Sequence, residues 1–153
     1  MTVYSHSKLG AYEQCPLKYK LSYIDNIKRE TEGVEAFVGS RVHEVLQKCY
    51  DDARMTKVNP LYDLLGYYDK QWQKAWSDSI VITKKGYDQS HYQAHGRKMI
   101  EDYYKRFYPF DRDITVKTEM FITFSLDDGQ RYKLQGYVDR LARTSDNAFE
   151  IHD

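Results

Sequence analysis

The sequence predicts an α+β fold in which N-terminal helices precede an antiparallel β-meander, all within a single domain spanning residues 1–153. Three observations carry that expectation. Apolar residues recur at three-and-four spacing through the first two-thirds of the chain, β-branched and aromatic runs replace them after Pro109, and two turn signals divide those runs. At 153 residues, 41% hydrophobic and 30% charged, the chain suits one domain around one core.

The elements follow in order. Ser5 or Ser7 caps a first helix carrying Leu9 and Tyr12, and Pro16 fits the first turn of a continuing segment through Leu17, Tyr19, Leu21, Tyr23 and Ile24. Asp25 to Gly33 is a polar loop. A second helix runs from about Val34 to Arg54, with Val38, Val42, Val45, Leu46 and Cys49 on one stripe. Asn59-Pro60 reads as a cap and first-turn proline for a third helix through Leu64, Leu65, Tyr68 and Trp72. Lys84-Lys85-Gly86 breaks the chain, and a fourth helix spans roughly Gln89 to Phe107, ended by Pro109. Ile114 to Leu126 then reads as a strand, Asp127-Asp128-Gly129 as a hairpin turn and Tyr132 to Leu141 as a second strand. Thr144 to Asn147 makes another turn before a third strand, Ala148 to Asp153.

Formal net charge is zero, so any nucleic-acid binding rests on local patches or metal ions rather than on bulk positive charge. The 15 tyrosines suit half-buried packing, or stacking on nucleobases. Cys15 and Cys49 form neither a disulfide framework nor a zinc spacing. The N-terminus lacks the pattern of a signal peptide, and no apolar run is long enough to cross a bilayer, so the expectation is a soluble, cytoplasmic protein.

Asp139 and Asp153 are the most informative pair. A turn centred on Asp146 places them opposite one another, each seven positions from the centre. Directly opposed residues hold their Cβ atoms about 4.5–5.5 Å apart on one face. Two carboxylates that close repel, unless a hard cation such as Mg²⁺ or Mn²⁺ sits between them. The competing reading is a one-residue slip, which sends the two side chains to opposite faces.

Motif content bears on that choice. Leu134-Gln135-Gly136-Tyr137-Val138-Asp139-Arg140-Leu141 resembles the G-x-x-D-R strand of RecB-like and CRISPR-associated nucleases in the PD-(D/E)xK superfamily. Phe149 to Asp153 looks like the start of that family's (D/E)-x-K strand, with Asp153 as its acid. Gly39-Ser40-Arg41-Val42-His43-Glu44-Val45-Leu46 is similar to its G-x-x-x-H-x-x-L helix, and Ser7 to Tyr19 to its S-x-L-x-x-Y-x-x-C-P segment. Glu119 sits where many relatives carry a glutamate near the site.

The resemblance implies an incomplete restriction-endonuclease-like core and a Mg²⁺- or Mn²⁺-dependent nuclease acting on DNA in repair, recombination or CRISPR adaptation. It implies catalytic roles for Asp139, Asp153 and Glu119, with His43, Asp139 and Asp153 as metal ligands. The family's lysine falls two residues beyond Asp153, outside the chain, so the 153 residues are expected to bind metal without cutting. Cys15 occupies the place of an iron–sulfur ligand in some relatives; a [4Fe–4S] cluster needs four thiolates, so it belongs only to a longer parent, and Cys15 reads here as a small buried apolar residue. His91 and His95 lack the glutamate of an H-E-x-x-H motif and read as surface residues, and Glu44 as solvated.

DNA contacts are expected from Lys18 and Lys20, together with Lys84, Lys85, Arg97, Lys98, Lys105 and Arg106. Arg140 is a further candidate, meeting either a phosphate or a carboxylate. The open edge of the third strand invites a protein partner or a dimer. The alternative function is a module that kept the fold and nucleic-acid binding but lost the chemistry.

Overall fold

The computed structural model describes residues 2–28 and 30–153. Of the two serines expected to cap the first helix, Ser5 does so. It ends a short strand, β1 (Thr2–Ser5), and its hydroxyl accepts from the Lys8 amide at 3.3 Å to start α1 (His6–Gln14). Pro16 opens α2 (Pro16–Tyr19), which winds into a π-helical turn at Lys20–Ile24. The expected loop at 25–33 ends instead in a two-residue strand, β2 (Glu32–Gly33), paired in parallel with β3 (Ile80–Val81). Arg29, within that loop, and Met1 lie outside the described residues.

The two longest helices have the bounds their periodicity predicts: α3 (Val34–Arg54) and α5 (Gln89–Phe107). Asp88 caps α5, accepting from the His91 amide at 2.9 Å. The third expected helix, α4 (Leu61–Ala75), has Pro60 in its cap position with no side-chain capping bond. Asn59 is therefore not the cap. It is buried, and its amide donates to Asp52 at 2.7 Å while its carbonyl accepts from the Tyr104 hydroxyl at 3.1 Å, tying α4's start to the ends of α3 and α5.

Helices α3, α4 and α5 enclose the core, with Val34, Val45, Leu64, Tyr68, Trp72 and Ile100 almost wholly removed from water. Trp72 meets Phe37 edge-on at 4.9 Å and stacks on Trp76 at 5.3 Å. Glycine at position 96 has a packing reason: a Cβ there would lie 2.0 Å from the Tyr68 hydroxyl oxygen. Among the described residues, no helix is long and apolar enough to cross a membrane.

The sheet is mixed, which corrects the expected antiparallel meander. β5 (Tyr132–Arg143) is its centre, with β4 (Ile114–Ser125) antiparallel along one side. Its other side is shared: β1 pairs in parallel with Tyr132–Gln135, and β6 (Phe149–His152) runs antiparallel against Arg140–Arg143. The four residues of β1 are too few to show a strand period in the sequence, and a pairing across some 130 positions leaves no local trace. One face of β5 buries Val138, Arg140 and Ala142, with Thr118 of β4 beside them, towards α3. Phe121, Tyr137 and Ile151 remain at least half exposed.

Candidate metal centre

The ladder between β5 and β6 pairs Arg140 with His152 and Leu141 with Ile151. The same register places Asp139 opposite Asp153, and the two carboxyls are close enough to share a hydrogen bond. The slipped alternative is excluded. Between β4 and β5, Thr118 pairs with Arg140 and Met120 with Val138, so Glu119 lies opposite Asp139 from the other side.

Glu119 has a φ of 47°, a left-handed conformation for a residue with a side chain, held by ladder pairs on both flanks. Such a conformation costs on the order of 1–2 kcal/mol, and it coincides with a carboxylate directed at the helix above. That helix is α3, whose apolar stripe is fixed in the core and whose His43, next to buried Val42, is left over the sheet. Its Nε2 lies 2.5 Å from Glu119 Oε1, and its Nδ1 lies 3.3 Å from Asp139 Oδ2. Ligand atoms of His43, Glu119 and Asp139 all fall within 4.8 Å of one another. Asp153 joins through its contact with Asp139.

The electrostatics match a cation-seeking site. Burial raises the Asp139 carboxyl above the usual carboxylate range; the His43 imidazole opposes this, and the Asp153 and Glu119 carboxyls add to it. The Asp139 and Asp153 carboxyls with the His43 imidazole, and Glu119 beside them, form an oxygen-rich group, which fits Mg²⁺ and, with the nitrogen, Mn²⁺.

The remaining site candidates are more scattered. Arg140 is corrected: its guanidinium is buried, donating to Asp113 at 2.6 and 3.2 Å and to Thr115 at 3.3 Å, with the Tyr50 ring 4.0 Å away. Of the two partners open to it, phosphate and carboxylate, it takes the carboxylate. Lys18 bonds Gln14 at 2.7 Å and lines a separate hollow with His6, Ser7 and Ser22, while Lys20 pairs with Asp25 at 2.5 Å. Cys15 is exposed at the junction of α1 and α2, so the reading of a buried apolar residue is also corrected; the chain turns there, and the side chain falls on the outside. Cys49 is buried in α3, and burial pushes its thiol up to about 12. His91 and His95 are exposed, and Glu44 pairs with Arg41 at 2.7 Å.

A second cluster, Asp113, Glu150 and His152, has no counterpart among the motifs of the sequence. His152 Nε2 stands 3.8 Å from Asp113 and 3.5 Å from Glu150. Asp113 is already neutralised by the forked guanidinium of Arg140, which makes this cluster an ion-pair network rather than a seat for a cation.

The sequence profile described as the PD-(D/E)XK nuclease superfamily matches residues 3–153. No curated protein and no solved structure matches the chain.

Proposed function

The chain belongs to the PD-(D/E)XK nuclease superfamily, and on that premise we propose that it is a Mg²⁺- or Mn²⁺-dependent deoxyribonuclease of the RecB-like kind, acting in DNA repair, recombination or CRISPR adaptation. The observation that supports this reading is the convergence of His43, Glu119 and Asp139 from three elements, with Asp153 in register beside Asp139.

The chain's own residues divide the work. Two ligands about 2.1 Å from one octahedral ion, at right angles, are about 3.0 Å apart. The 3.3 Å between His43 Nδ1 and Asp139 Oδ2 is close to that spacing, so these two atoms would form the ligand pair. His43 Nε2–H donates to Glu119, which fixes the tautomer and leaves the Nδ1 lone pair free for coordination. Glu119 is then a positioning residue rather than a ligand. Asp153 would supply the second carboxylate. A bound divalent ion would lower the pKa of a water and neutralise charge on the phosphate.

Calorimetric titration of the chain with Mn²⁺ tests the assignment. One site is expected, weakened at least about 100-fold in Asp139→Ala, on the scale of a lost metal ligand. Wild-type affinity in that variant overturns the reading.

A further inference from the structure

The metal centre occupies one end of a larger cleft. A hollow of about 390 Å³ opens from His43, Asp139 and Asp153 and runs between α3, the C-terminal half of α5 and β6. Its far walls are of a different chemistry: Leu46 and Gln47 from α3, Tyr103 and Phe107 from α5, and Ile151 from β6. Tyr103 and Phe107 stand four apart on one helix face, with ring centroids 4.4 Å apart, and both are half-buried.

This aromatic wall is held rigidly. The Tyr103 hydroxyl is 2.7 Å from that of Tyr50, and the Tyr50 ring lies 4.0 Å from the Arg140 guanidinium, itself forked onto Asp113. The guanidiniums of Arg106 and Arg112 stand 5.2 and 5.5 Å from the Phe107 ring. The cleft itself offers a cation-binding end, a flat apolar face and a side-chain amide. A ligand that satisfies all three has an anionic group and a planar ring joined by a short linker, which describes a nucleotide.

We infer that this cleft seats one unpaired nucleobase against Phe107 and Tyr103, beside the phosphate that meets the metal centre. The inference rests on the nuclease reading and deepens it. A base lodged between side chains is out of its duplex stack, so the substrate it selects is single-stranded DNA or a frayed end rather than an intact duplex. The Gln47 amide, with donors and an acceptor, is placed to meet the base edge.

The test uses the full chain saturated with Mn²⁺ and two probes, thymidine 5′-monophosphate and deoxyribose 5-phosphate, which differ only in the base. One stacked base is expected to make the nucleotide bind about tenfold more tightly. Phe107→Leu should abolish that preference while leaving Mn²⁺ and sugar-phosphate affinities unchanged, and Phe107→Tyr should keep it. Equal affinity of the two probes for the wild type, or a preference that survives in Phe107→Leu, overturns the inference. Absence of Mn²⁺ binding counts instead against the metal centre. The base is then read without metal: 2-aminopurine within a dT octamer should lose fluorescence on the wild type and not on Phe107→Leu, and identical behaviour of the two overturns the inference.

Discussion

Helix α3 has two sides of opposite chemistry. Against α4 and α5 it buries Val34, Phe37, Val38, Val45 and Cys49 among Leu64, Trp72 and Ile100, with Glu35 accepting from the Tyr92 hydroxyl at 3.1 Å and Lys48 over the Tyr67 ring as its polar contacts. Against the sheet it presents His43 to Glu119 and Asp139, Asp51 to Thr118 at 2.6 Å, and Tyr50 to the Arg140 guanidinium. The first side removes apolar surface from water, which is where a small domain finds most of its stability. The second side is a seam of ionisable and hydrogen-bonding groups, whose net contribution per contact is small. The lesson is a division of labour: the bundle holds the helix so firmly that the seam can be left with like charges facing one another.

Three substitutions sharpen or break that division, and the largest effect belongs to the bundle. Trp72→Ala should cost about 4 kcal/mol in urea unfolding, since it opens a cavity beneath Phe37, Tyr68 and Trp76. Next comes a buried pair of the seam: Arg140→Met strands Asp113 and should cost about 3 kcal/mol, much of it recovered in Arg140→Met/Asp113→Asn. If Arg140→Met proved costlier than Trp72→Ala, the seam and not the bundle would be the mainstay. The smallest change is expected at the metal centre. Because the folded state holds the Asp139 proton more tightly than the unfolded chain does, that group's stabilisation is full at acid pH and is lost as pH rises through the raised folded pKa. At neutral pH without metal, Asp139→Asn should therefore be as stable as the wild type or slightly more so, by less than about 1 kcal/mol. Mn²⁺ should raise the melting temperature of the wild type and leave that of the variant where it was. A clear loss of stability in metal-free Asp139→Asn would break the comparison.

What the sequence made legible follows the same division. The stripe of α3 is a local periodicity and Pro109 a local stop for α5, and both helices have the predicted bounds. The opposition of Asp139 and Asp153 was readable because a short hairpin fixes its own register from its turn. Contacts between distant segments were not. Nothing near Arg140 announces Asp113, 27 positions upstream, and nothing near Asn59 announces that its amide is taken by Asp52 rather than by the next helix. Glu119 was readable as a residue near the site, but not the left-handed turn of its backbone, because that conformation is imposed by the ladders flanking it. The aromatic wall of Tyr103 and Phe107 has no local signature beyond its helix, since only the placement of α3 and β6 turns it into the side of a cleft.

The close approach of Gly96 to Tyr68 ties two positions on different helices into one unit of inheritance. With the ring fully buried and a Cβ at position 96 only 2.0 Å from its hydroxyl oxygen, position 96 is not free to gain a side chain while Tyr68 stands. In descendants of this sequence, a side chain at position 96 has to be accompanied by a smaller one at position 68. The order of change is therefore fixed, with position 68 first, whatever becomes of the chemistry at the seam.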